Sequence, residues 1–192
     1  MLVVLIMVTL RPMTTPMGQE RWVSSQFSSQ YLTARAASEA IYFGSAKGGL
    51  NHGGAGAGPW IMGDLEAGLW GADVVESTEP SIKHAFVTAM VKGDSGPSPG
   101  HWAIKGGDAT AGDLTVYWDG PRPTRAARTK RFPNGTDAPM KKQGSIILGI
   151  GGDNSNGAVG TFYEGALTKG YAGNKTDDAV QADIVAAGYS RQ

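Results

Sequence analysis

Cysteine is absent from the 192-residue sequence, which excludes a disulfide framework, a thiolate nucleophile and a cysteine-ligated zinc site. Excess charge of either sign is absent too. The 17 Lys and Arg residues balance 17 Asp and Glu residues, so net charge supplies no general attraction to nucleic acid or to an anionic membrane. Histidine is scarce, and His52, His84 and His101 lack metal-ligand spacing; no metal or other cofactor is implied. The apolar run Leu2 to Leu10 is far shorter than the roughly 20 residues a helix needs to span a bilayer. Its length suits the h-region of a signal peptide, but no Lys or Arg precedes it and Arg11 follows directly.

What is present in quantity is glycine, 29 residues, together with aromatic and β-branched residues. That mixture fits a turn-rich β architecture better than disorder, in a chain long enough for one domain or part of one. Residues 1–37 are unassigned: a weakly signal-like start, then a Ser, Thr, Gln and Ala-rich stretch with little periodicity that reads as linker or poorly ordered sequence. From Ser38 the texture changes. Strands are predicted over Glu39–Gly44, Pro59–Glu66, His84–Lys92, His101–Ile104, Leu114–Trp118 and Thr161–Tyr163, with Gly, Asp and Pro between them. Short strands at such spacing indicate a sandwich or a barrel. One helix is predicted, with Thr176 as N-cap, Asp177 and Asp178 in its first turn, Val180, Ile184 and Val185 at helical spacing, and an end near Gly188. It is expected to pack outside the sheets.

Two acidic stretches stand out. In Ser145–Gly165 an apolar run, Ile146 to Ile150, breaks at Gly151-Gly152 into Asp153-Asn154-Ser155-Asn156-Gly157 and resumes at Phe162-Tyr163. Asp153 thus stands at the mouth of a buried strand, where loops on a rigid scaffold concentrate chemistry; the same residue types also make ordinary hairpin turns. In Trp60–Glu66, strand alternation puts Trp60, Met62, Asp64 and Glu66 on one face. Two carboxylates on one strand face repel, which suits a functional pair, while a solvated face is the alternative. The basic stretch Arg122–Lys142 has Phe132 as its only aromatic, so it reads as a solvated loop and not as a nucleic-acid surface. The two Asn-x-Thr triplets at Asn134 and Asn174 matter only in a eukaryotic secretory pathway.

From about Glu39 onward the chain resembles the catalytic domain of the family 54 glycoside hydrolases, the alpha-L-arabinofuranosidase B family. The resemblance rests on EAIYFG at 39–44, GPWIM at 58–62 with Asp64 and Glu66 following, PSIKHAFVTAMVKG at 80–93, HWAIKGG at 101–107, ILGIGGDNSNGAVGTFYEGALTKGY at 147–171 and VQADIVAAGY at 180–189. It implies an all-β, concanavalin-like β-sandwich of jelly-roll type, incomplete in residues 38–192, with one short C-terminal helix. It also implies a secreted retaining hydrolase that releases terminal arabinofuranose from arabinose-containing plant polysaccharide, with no nucleic-acid or membrane partner. By matching position Glu66 is the implied nucleophile and Asp153 the implied general acid/base. Asp64, Trp60, Gly152 and Asn154 are the implied substrate-binding residues, and Glu164 is a reserve carboxylate. The chain departs from the family in lacking the pocket cysteines and in carrying Ala67 where an asparagine usually follows the nucleophile. A catalytically impaired fragment, or a non-enzymatic carbohydrate-binding sandwich, is the alternative expectation. Strands left without family partners would expose sheet edges and promote self-association.

Overall fold

In the computed structural model the described residues are 2–9, 27–28, 39–44, 58–65, 68–69, 80–94, 101–121, 145–146 and 161–190. They form ten strands and one helix. The strands are β1 (Leu2–Thr9), β2 (Phe27–Ser28), β3 (Glu39–Gly44), β4 (Trp60–Leu65), β5 (Gly68–Leu69), β6 (Phe86–Gly93), β7 (His101–Asp108), β8 (Thr115–Pro121), β9 (Ser145–Ile146) and β10 (Thr161–Thr168); the helix is α1 (Asn174–Ala186). A five-stranded antiparallel sheet runs β10-β1-β6-β7-β8, a three-stranded one runs β3-β4-β5, and β2 pairs with β9.

The alternation expected of a sandwich is met where the two larger sheets face each other. Ile41 and Phe43 of β3 and Ile61 of β4 pack with Val87, Ala89 and Val91 of β6 and with Trp102 and Ile104 of β7, all nearly inaccessible. Every second residue of β6 belongs to this core. The intervening residues Phe86, Thr88, Met90 and Lys92 are buried as well, because α1 covers the other face of the sheet: Ile184 packs against Phe86, Met90 and Ala109. The architecture is therefore a two-sheet sandwich with a helix as a third layer, which explains why β6 is buried along its whole length.

Two expectations change. The stretch Leu2–Thr9, whose signal-like reading left it outside the sandwich, is a central strand: its register pairs Val4 with Val91 on β6 and with Leu167 on β10. A continuous apolar run of this length serves a strand with neighbours on both sides. The helix begins at Asn174, and Gly173, not Thr176, is its N-cap, with no side-chain capping bond. Tertiary contacts decide this start. Lys105 Nζ donates to Asn174 Oδ1 at 2.9 Å and to Asp177 Oδ2 at 2.6 Å, which holds the first turn against the sheet.

Candidate active site

β4 is the strand that carries the first acidic stretch, and its placement is firmly set. Its start is tied down by hydrogen bonds from Ile82 N–H to the Pro59 carbonyl at 2.7 Å and from Gly58 N–H to Ser81 Oγ at 3.1 Å. β3 pairs with it along its whole length, Tyr42 opposite Met62, and β5 pairs with its last two residues, Leu69 opposite Asp64. Ile61 enters the inter-sheet core, while Trp60 and Met62 bury together in a separate cluster. The strand thus uses both faces, as period-two alternation requires. Trp60 is fully buried, so it shapes this end of the strand by packing.

Asp64 falls at the penultimate position of β4, on the register step that follows Met62. Glu66 and Ala67 lie in sequence between the paired residues Leu65 and Gly68 and are outside the described residues, as are Gly152, Asp153 and Asn154. The strands on either side of the Asp153 stretch are described. β9 pairs with β2 and β10 pairs with β1, so these two strands belong to different sheets. The basic stretch Arg122–Lys142 also lies outside the described residues.

Glu164 is placed away from β4. Its Oε1 accepts a hydrogen bond from the Tyr189 hydroxyl at 2.9 Å on the helix-covered side of the five-stranded sheet. Burial and this carboxylate push the Tyr189 phenol up to about 12, since both disfavour the phenolate.

A cleft of about 220 Å³ opens beside the start of β4 between Ile61, Ile82, His84, Gly107 and Tyr117. At its rim His84 Nδ1 stands 3.0 Å from Asp108 Oδ2. Asp108 is desolvated by partial burial, which raises its pKa, but bonds from the Thr110 hydroxyl and amide, together with His84, outweigh this and hold the carboxyl below its ordinary range. The dyad pins the β7–β8 turn to the segment before β6. The second histidine is engaged in the same manner, His101 Nε2 lying 2.7 Å from Asp119 Oδ1 and its ring stacked on Tyr171. Neither pairing could be read from the sequence, because each joins residues from different segments of the chain.

Two packed antiparallel sheets with a helix over one of them define a β-sandwich. The chain belongs to the family described as Alpha-L-arabinofuranosidase B, catalytic, whose match covers residues 26–190. That match begins within the segment the sequence left unassigned. The chain is 48% identical over 154 residues to the alpha-L-arabinofuranosidase B of Aspergillus oryzae and 49% identical over 154 residues to that of Emericella nidulans. Each alignment takes in 79% of this chain and 28% of the relative, so the chain spans a little over a quarter of the length of these curated relatives. Among solved structures, an arabinofuranosidase complexed with arabinofuranosyl-alpha-1,2-xylobiose superposes with a TM-score of 0.70 at 35% identity, over 100% of this chain and 36% of the other. A mutant family 54 alpha-L-arabinofuranosidase soaked with 4-nitrophenyl alpha-L-arabinofuranoside gives 0.67 at 34% identity, over 100% and 37%.

Proposed function

We propose that the chain catalyses retaining hydrolysis of terminal non-reducing alpha-L-arabinofuranosyl residues from arabinoxylan- or arabinan-type polysaccharide, and that it acts outside the cell. The observation that carries this reading is the family match over residues 26–190, which spans both acidic stretches. Glu66 attacks the anomeric carbon while protonated Asp153 donates to the departing glycosidic oxygen. Asp153 then takes a proton from water, which releases arabinose with its configuration retained. A retaining pair stands about 5 to 5.5 Å apart, and the negative charge on Glu66 helps keep Asp153 protonated until it is needed. Asp64, Gly152 and Asn154 hold the sugar, and Trp60 supports the pocket from beneath β4.

The test is release of 4-nitrophenol from 4-nitrophenyl alpha-L-arabinofuranoside by the purified chain. Glu66→Gln is expected to abolish turnover, and Asp153→Asn to lower kcat about 10²–10⁴-fold, with azide restoring part of the loss as an external nucleophile that needs no general base. A folded wild-type chain that releases no nitrophenol overturns the enzymatic reading.

A further inference from the structure

We propose that Tyr163, Glu164 and Tyr189 form a second carbohydrate-binding surface, suited to a neutral saccharide chain, on the helix side of the five-stranded sheet. It rests on the reading that this protein meets polysaccharide, but it uses none of the residues assigned to hydrolysis. β4, which carries Asp64, packs against the opposite face of the same sheet.

The surface is created by a β-bulge. In the pairing of β10 with β1, Met7 faces Glu164 and Val8 faces Phe162, so Tyr163 is the extra residue without a partner. A bulge shifts the in-and-out phase of a strand by one residue. Here it allows Phe162 and Leu167, five positions apart, both to pack on the inter-sheet core. It also turns two consecutive residues, Tyr163 and Glu164, outward together. In an unbulged strand one of them would point into the core.

Both outward residues converge on Tyr189. The Tyr163 and Tyr189 rings meet edge to face at 5.4 Å, and Phe86 backs them at 5.9 and 5.7 Å. Tyr163 nonetheless remains 48% exposed, one of two large hydrophobic side chains so open among the described residues. The result is a rigid, half-exposed aromatic surface with phenolic hydroxyls and a carboxylate beside it. Tyrosine suits a ligand that is apolar on one side and hydroxylated at its edges, and a carboxylate accepts hydrogen bonds from vicinal hydroxyls. Saccharides have that character: C–H bonds populate the faces of the ring and hydroxyls its rim. The local negative charge disfavours nucleic acid and other anionic partners. A second contact on a long substrate would raise overall affinity by effective concentration, without any change at the reacting centre.

Affinity electrophoresis of the full chain in gels containing soluble arabinoxylan, on a Glu66→Gln background that leaves the polymer intact, tests the proposal. Tyr163→Ala is expected to weaken retention about tenfold, the scale of one lost aromatic contact. Tyr163→Phe should keep most of the retention, and Glu164→Gln should weaken it severalfold without disturbing the aromatic packing. On the otherwise unaltered chain, Tyr163→Ala is expected to leave 4-nitrophenyl arabinofuranoside hydrolysis unchanged. Undiminished retention of both folded Tyr163→Ala and Glu164→Gln overturns the proposal. So does a change of oligomeric state in Tyr163→Ala with retention unaltered, which would mark a protein-docking surface. Absence of hydrolysis by the folded wild-type chain, with retention intact, would instead count against the hydrolytic reading alone.

Discussion

Asp177 is 1% exposed and receives hydrogen bonds on Oδ2 from both Lys92 and Lys105, each at 2.6 Å. Lys92 also donates to the Ala172 carbonyl at 2.9 Å and lies 4.4 Å over the Tyr171 ring, so the second buried ammonium is solvated by dipoles and a π face where a second carboxylate is lacking. Removing the shared counter-ion leaves two buried cations. Asp177→Ala is therefore expected to destabilise the fold by about 3–5 kcal/mol, read as a lowered urea midpoint, whereas converting all three residues to Leu or Met should recover most of the loss. A different residue-scale limit operates at Gly106, where a Cβ would collide with Ile61 Cδ1 and press on the Tyr117 ring. Gly106→Ala is expected to cost about 1–3 kcal/mol as overpacking, measured by the same titration. The Asp108 carboxyl has a folded-state pKa below its ordinary value. Its contribution to stability is fully present above the unfolded-state value and is lost as pH falls through the folded one, so Asp108→Asn should flatten the acid limb of the stability profile.

At the scale of elements, α1 and β10 show how local patterns are adjusted by what they pack against. The acidic first turn and the positions of Ile184 and Val185 made the helix legible, but its start was not, because Asn174 and Asp177 are held by lysines from β6 and β7. The strand at Thr161 was legible in its aromatic residues, and its bulge was not, since a bulge is defined by the partner's register. Where the chain leaves the helix, the Tyr189 phenol is raised to about 12 by burial and by Glu164. A raised acid binds its proton more tightly when folded, so stability should fall as pH rises from about 10 towards the folded value. Spectrophotometric titration should show more than one late-titrating tyrosine, since burial and Asp119 also raise Tyr171, and only the Tyr189 component should move earlier in Glu164→Gln.

At the scale of the whole molecule, β8 and β10 are the outer strands of the five-stranded sheet among the described residues, and Val116 on β8 is 50% exposed. An accessible edge with an apolar residue invites pairing with another chain. Light scattering after size-exclusion chromatography is expected to show concentration-dependent association of the purified chain, reduced by Val116→Lys. A monomer at all concentrations would refute this.

The sequence by itself determined that the protein is built of short strands with one C-terminal helix. Period-two alternation, glycine-bounded segments and an acidic helix start are local properties that survive without knowledge of any partner. It also brought Asp64, Glu66 and Asp153 forward as candidates, since carboxylates at strand ends and in glycine-rich loops are visible in one dimension. Only the tertiary structure decided that Leu2–Thr9 is a central strand, that the strands bracketing Asp153 lie in different sheets, and that Asp177 anchors a helix instead of decorating its first turn. Each of these depends on residues brought together from 70 or more positions away, as Lys92 and Lys105 are brought to Asp177. Such meetings are set by how the sheets and helix bury their apolar faces together, and no local pattern in the chain records them.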